Sequence, residues 1–503
     1  MNRNKSYVVP IIMMILLFGM ISFITNLAAP MGIVLKNQFN VSNSLGMLGN
    51  LANFIAYAVI GIPGGILLQK VGYKKTALIA VAVGFVGVGI QYLSGHAESF
   101  GVYLLGAFVA GFSMCLLNIV VNPMLNTLGG GGNKGNQLIQ VGGSFNSVMA
   151  TFTPVFVGIL IGEATKANIR DVFPILYIAL GVFALVFFIL LITRIPEPHA
   201  DQPKEPLGRL MGGALKFRHF VLGAIAIFVY VGVEVGTPGM ANLYMTTPTV
   251  EQSEDIIAEY ERQQADAEYL QELQSRDEQN LDDRSRRDLV VSDMAYESAQ
   301  KIVQGRDTPG LGIGAGIAGG VVGMYWLLML AGRLFGASFG DRIASNKMLS
   351  TASFAGLVLI LLAIFWPATT VISMPTFNVV GGAINFNFYE VPIKFFFIAL
   401  VGLCTSIMWG SIFNLAVEGL GKYLAAASGI FMVLVAGGGI LPLIQGWLAD
   451  VADYKMSYWI IVAGLAYLFF YGALGSKVTK RADDVSIEDK TVLGAAEAEA
   501  PKE

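Results

Sequence analysis

Within residues 228–244, reading FVYVGVEVGTPGMANLY, a single carboxylate, Glu234, stands in an apolar stretch long enough to cross a bilayer as a helix. Ionisable groups kept inside a membrane are costly; they mark ion or substrate pathways or pair with another charge. Glu234 therefore suits one of two jobs, exchange of a proton or other cation or a structural ion pair with an arginine. No other apolar run holds an acid so deep. Amides recur around it in the chain. Asn118, Asn122 and Asn126 are spaced by four and share one helical face. Such a stripe needs partners, so it serves either substrate contact or adhesion between helices. Contact is expected of Asn118 and Asn122, while Asn126 lies nearer the end of its run. Gln140 and Asn146 flank Gly142 and Gly143 in QVGGSFNS, six residues apart, which puts them off a common narrow face and favours Asn146. Asn242 lies beyond Glu234 in the same run, with Pro238 and Gly239 expected to break the helix between them and free backbone groups for a cavity. Trp409 and Asn414 pair an aromatic plate with an amide, although Trp409 suits a lipid boundary equally well. Arg333 is expected to pair with Glu418 or Asp341, as a gate or as plain structure. Amides, one acid and rings, with no evident cationic clamp, suit a neutral, hydroxyl-rich solute, since an anion would want Arg or Lys.

The elements that position these residues follow from composition. Hydrophobic residues make up 55% of the 503 and charged ones 13%, well below the roughly 25% of soluble domains. Mean hydropathy is +0.64. Twelve apolar runs are expected to span, centred on 10–30, 46–68, 76–95, 101–126, 138–162, 173–193, 219–245, 313–340, 348–368, 392–418, 424–448 and 456–476. The first follows Arg3 and Lys5 and is read as an uncleaved helix rather than a signal peptide. Residues 194–218 form a charged linker, 246–312 a polar insert and 369–391 a Gly/Asn-rich loop. The charge bias of the short loops, with Lys70, Lys74, Lys75, Arg209, Arg342, Lys347 and Lys422 on one side, puts both termini in the cytoplasm and the insert outside. The insert reads as solvated helices, a spacer or a contact for an external protein through 250–308. The tail 478–503 reads as disordered. Cys115 and Cys404 fall in apolar runs and His96, His199 and His219 at loops or a helix edge, so neither a disulfide nor a metal site is expected. No P-loop or nucleophile–base pair suggests an enzyme, and no nucleic-acid partner is expected. The only cofactor-like species would be a coupling proton or sodium ion.

The halves repeat. The segment after the second run, Gly65 to Lys75 with Lys70, Gly72 and Lys74, is echoed after the eighth by Ala337 to Lys347 with Asp341 and Arg342. These look like two degenerate copies of the major facilitator loop motif G-x-L-x-D-R-x-G-x-R-R, with Gln69 at the usual acid. Asn26 precedes Pro30, and Glu234 precedes Pro238, by the same four residues, making Glu234 the counterpart of Asn26 across a central cavity. The fifth and eleventh runs share a Pro-x-x-x-Gly spacing at Pro154/Gly158 and Pro442/Gly446.

At NLAAP (26–30), VVNPMLNTLG (120–129), GSFNS (143–147), YVGVEVG (230–236) and SIFNLAVEGLG (411–421) the chain resembles the fucose:proton symporter family of the major facilitator superfamily, glucose/galactose branch included. The resemblance fails in the insert and the tails. It implies an all-α membrane protein of twelve helices in two pseudo-symmetric six-helix bundles, 1–193 and 219–477, in the cytoplasmic (inner) membrane. It further implies import of a monosaccharide coupled to a cation, a proton or sodium; alternating access between the halves and a monomeric chain are expected alongside it. The fucose-type acids of the first and fourth helices are replaced by Asn26 and Asn118, so their proton scheme does not carry over; Glu234 resembles the YVG-x-E motif of the glucose branch. Still open from the sequence are a sugar uniporter or exporter, a carrier of amino sugars or small peptides, and a transport-inactive sensor.

Overall fold

The computed structural model describes residues 7–39, 48–97, 99–161, 173–197, 207–266, 268–271, 273, 291, 293–380 and 383–479. The first half contains α1 (Val8–Phe39), α2 (Leu48–Ala97), α3 (Phe100–Leu128), α4 (Gly132–Ile161) and α5 (Phe173–Ile192). α2 is two helices in one: Gly72, at φ 84° and ψ 176°, leaves the helical backbone conformation and turns the chain between them. Only glycine takes that φ without strain. A side chain there would also meet the Glu197 carboxylate, whose oxygens accept the backbone N–H of Tyr73 (2.8 Å) and Lys74 (2.9 Å). Glu197, from beyond α5, thus sits at the start of the returning helix, where free N–H groups and the helix dipole favour an anion.

A short helix, α6 (Leu207–Ala214), lies in the expected linker and leads into α7 (Arg218–Thr246). The second half continues with α10 (Ala315–Phe339), α11 (Ser345–Phe365), α12 (Ile393–Thr405) with α13 (Met408–Val417), α14 (Leu424–Val433) with α15 (Gly437–Val451), and α16 (Tyr454–Phe470). Ten described segments are long and apolar enough to cross a membrane, one of them the doubled α2. The more polar α4 packs between α1 and α10 and completes the set of twelve crossings expected from the sequence. The protein is a multi-pass membrane protein. We call the face carrying α6 and the Gly72 turn the linker face, and the opposite one the hairpin face.

One connection differs from expectation. Residues 369–391 are not an irregular loop but a β-hairpin, β1 (Val371–Val380) paired antiparallel with β2 (Ala383–Pro392). The signal is in the sequence: apolar alternation on either side of Gly381-Gly382, the composition of a two-residue hairpin turn. Among the described residues the insert is helical, in keeping with the helices expected there. Its helices α8 (Val250–Ala265) and α9 (Asp293–Val303) pack together, with Tyr260 stacked on Tyr296 at 4.2 Å and Ser253, Gln263, Ala299 and Ile302 buried. Thr249 and Gln252 form a capping box at the start of α8. Backbone N–H groups of Gly310, Leu311, Gly312 and Ile313 bond carbonyls of Pro248, Tyr244, Thr247 and Met245, so the insert leaves and re-enters the bundle at one place. That closure explains how such a length could enter a two-half design without displacing α7 from α10.

Candidate functional site

A cavity of about 210 Å³ lies between the halves. From the first half, α1 contributes Phe18, Ile21 and Thr25, α2 Phe54 and Tyr57, α3 Met114 and Asn118, and α4 Gln140, Gly143 and Asn146. From the second come Val231, Glu234 and Val235 of α7, Arg333 of α10, Ser406, Trp409 and Gly410 around the α12–α13 junction, and Val435. Glu234 is at the wall, and it is not alone. Its Oε1 accepts a hydrogen bond from Arg333 Nη2 at 3.1 Å, with the Glu234 and Arg333 side chains only 14% and 12% exposed. This corrects two expectations, since the partner of Arg333 is neither Glu418 nor Asp341 and the cavity does contain a guanidinium. A buried acid requires a counter-charge, and Arg333, toward the end of the 313–340 run, supplies it.

Arg333 also crosses the seam. Its Nη1 donates to Ser147 Oγ (2.8 Å), the Gly143 carbonyl (3.2 Å) and Asn146 Oδ1 (3.4 Å), all on α4. The guanidinium fork therefore joins an acid of one half to three acceptors of the other, a geometry lysine could not match. Asn146 is held in turn by donating to the Phe18 carbonyl at 3.1 Å.

The break expected in α7 at Pro238 does not occur; the helix runs unbroken from Arg218 to Thr246. Proline at 238 has no N–H to offer the Glu234 carbonyl four residues earlier. Tyr325 supplies the missing donor from α10, its hydroxyl bonding that carbonyl at 3.2 Å and lying 3.1 Å from Thr405 Oγ1. This substitute hydrogen bond fixes the turn carrying Glu234 against α10.

The amide stripe divides between two tasks. Asn118 lines the cavity and donates to Tyr57 Oη at 2.8 Å. Asn122, wholly buried, is not at the wall; it donates to Asn118, and its Oδ1 accepts Trp409 Nε1 at 3.1 Å. Asn126 donates to Asn414 Oδ1 at 2.7 Å, and Asn414 to Ser345 Oγ at 2.9 Å. Asn122 and Asn414 thus tie the halves together between cavity and linker face, instead of lining the cavity as expected. Gln140 does both, lining the cavity while its Nε2 bonds the Ile407 carbonyl at 2.8 Å. Trp409 faces the cavity and not lipid, edge-on to Tyr230 at 6.2 Å. Asn242 is exposed, away from the cavity. Asn26 lies on α1, but its side chain is outside the described residues.

In the loop-motif segments, Lys74 Nζ donates to the Leu191 carbonyl at 2.8 Å. Lys70, Asp341 and Arg342 are exposed on the linker face. Gly65 does different work from a loop residue: with Gly61 it lets α2 approach Gly429 of α14 backbone to backbone across the seam. Among the described residues, the hydrogen bonds joining the halves lie at the cavity or between it and the linker face.

Residues 11–255 match the family model of the Major Facilitator Superfamily. The chain is 27% identical to a glucose/galactose transporter of Brucella abortus, over 95% of this chain and 96% of that protein. It is 26% identical to a putative glucose/galactose transporter of Helicobacter pylori, over 92% and 95%. Its fold is shared with the crystal structure of the Escherichia coli fucose:proton symporter, at a TM-score of 0.69 and 18% identity over 94% of this chain and all of that one. The family match thus covers residues 11–255, and the fold shared with the symporter covers nearly all of the chain.

Proposed function

We propose that this protein imports a monosaccharide across the cytoplasmic membrane by alternating access, driven by a proton gradient, with the linker face and both termini in the cytoplasm. The observation that carries the reading is the composition of the central cavity. Three amides (Asn118, Gln140 and Asn146), a neutral Glu234–Arg333 pair and the Trp409 ring surround it, groups that suit sugar hydroxyls and the C–H face of a ring. The pair leaves no surplus positive charge for an anionic solute. The glucose/galactose transporters of Brucella and Helicobacter, similar over nearly their whole length, agree with this reading.

For coupling, the pair itself supports a proton over sodium. A proton on Glu234 removes the charge that holds Arg333 Nη2 and leaves the guanidinium to its α4 acceptors. A sodium ion on the same carboxylate would face the guanidinium at close range, where like charges about 4 Å apart repel by about 4 kcal/mol at an effective dielectric near 20. Protonation state, sugar occupancy and the contact between halves thereby meet at Arg333, which is what obligatory coupling requires.

The test is radiolabelled hexose uptake in proteoliposomes, wild type against Glu234→Gln, under imposed proton or sodium gradients and in gradient-free exchange. Accumulation driven by protons in wild type, lost in the variant while exchange persists, is the expected result. Accumulation in the variant equal to wild type would remove Glu234 from coupling. Absence of saturable hexose flux in any mode of the wild type would overturn the transport reading.

A further inference from the structure

The two faces of the β-hairpin differ. Met374, Thr376 and Val391 are buried on one, over α10. The other is open and carries large apolar side chains, Val371, Phe386 and Phe388, which are 55%, 62% and 69% exposed, together with exposed Ser373 and Glu390 at its end nearest the bundle. The register pairs Pro375 with Phe388 and Val371 with Pro392, so these side chains stand on one face. The hairpin and the insert emerge on the same side of the molecule with opposite chemistry. Residues 250–308 hold 23 charged residues, whereas 371–392 hold one, Glu390. The insert is dressed for water, and the hairpin is not.

We propose that the open face of the hairpin is seated in the headgroup region of the lipid leaflet on that side, so that its occupant is the bilayer itself. The face continues an exposed aromatic rim. Phe365 and Trp366 end α11 five residues before Val371, and Trp459 of α16 packs edge-on to Phe365 at 6.2 Å. Trp366 meets Phe397, just after β2, at 5.6 Å. Aromatic side chains gather at the membrane–water boundary, where a ring meets apolar tails and the backbone still meets water. The hairpin's depth follows from its edges. A two-stranded sheet has outward N–H and C=O groups on both sides, which the hydrated headgroup layer satisfies and the hydrocarbon core does not. Phe386 and Phe388 therefore dip toward the acyl boundary while the strands stay wet, giving the second half a fixed point on the membrane beside the cavity-lining α10.

The experiment places one fluorescent label at Phe388→Cys, or for comparison at exposed Glu254→Cys on the insert, with Cys115 and Cys404 replaced by alanine. The protein is reconstituted in phosphatidylcholine vesicles with or without lipid brominated near the headgroup. The label at 388 should be quenched by brominated lipid at least about twofold more than the label at 254, and shielded from aqueous iodide. In the unmutated chain, amide exchange of 371–392 should slow on transfer from detergent to lipid nanodiscs, while exchange of 250–265 stays unchanged. Equal iodide quenching at 388 and 254 would overturn the proposal. So would cross-linking of 388 between two copies without lipid quenching, which would make a second copy the occupant. Unchanged exchange of 371–392 in nanodiscs would refute it without any substitution.

Discussion

Gly429→Ala tests how the linker face is closed. A Cβ on Gly429 would stand 2.8 Å from the Gly61 carbonyl oxygen and 3.0 Å from Gly65 Cα, against roughly 3.5–4.0 Å for a relaxed contact. Both obstacles are backbone of α2, so no rotamer change relieves them and the two helices must separate. Overpacking on this scale costs about 1–3 kcal/mol. In alternating access the cost falls only on the state in which α2 and α14 touch, and the gain in helix propensity from alanine is common to both states. The equilibrium should therefore shift roughly 5- to 150-fold toward the linker-open state, at about 1.4 kcal/mol per decade. Spin labels at Lys75→Cys and Asp341→Cys, both exposed on the linker face and on opposite halves, report the separation by pulsed electron resonance in a background without Cys115 and Cys404. Gly429→Ala should populate a longer distance than the parent. Gly446→Ala, which has nothing within 4 Å of its added Cβ, should not. A folded Gly429→Ala protein with the parent's distance distribution would refute the glycine contact as a determinant of closure.

Tyr325→Phe leaves the Glu234 carbonyl without a donor, because residue 238 is proline, and should cost about 1–3 kcal/mol as an unsatisfied buried acceptor. Adding Pro238→Ala restores a backbone N–H at that position and should recover most of the loss in melting temperature; no recovery would mean that the hydroxyl matters through Thr405 instead. Glu197→Ala removes the acceptor for the N–H groups of Tyr73 and Lys74 and should destabilise by about 0.5–2 kcal/mol, read as a lower melting temperature. Gly72→Ala should cost about 1–3 kcal/mol for its positive-φ, extended-ψ backbone alone, and because its Cβ also meets Glu197, the combination Gly72→Ala/Glu197→Ala should cost less than the two separate losses added.

Part of the site is legible in the amino-acid sequence. Glu234 is conspicuous because an acid in an apolar run violates a strong local rule, and Asn118, Gln140, Asn146 and Trp409 stand out on the same ground as polar or amphipathic groups at membrane depth. Arg333 points to the wrong partner, because its place near the end of a run suggests an edge residue, although the rule that a buried acid needs a counter-charge singles it out. The separation of Asn118 from Asn122 and Asn414 has no sequence signal at all. Amides on one helical face look alike along the chain, and only the neighbouring helices decide which meets the cavity and which meets Trp409 or Ser345.

By itself the sequence determined the elements and their order. The length of an apolar run sets whether it can span, a charge pattern sets where it stops, and repeated spacing such as Asn26–Pro30 and Glu234–Pro238 sets which helices correspond. These are local properties, carried by a few adjacent residues. Only the tertiary structure decided the pairings: Arg333 with Glu234 and α4, Tyr325 with the carbonyl that Pro238 leaves bare, Gly61 and Gly65 with Gly429, and Glu197 with the Gly72 turn. Each joins residues far apart in the chain, on helices whose rotation about their own axes is set by packing. Hydropathy reports that a helix crosses the membrane but not which way its faces point.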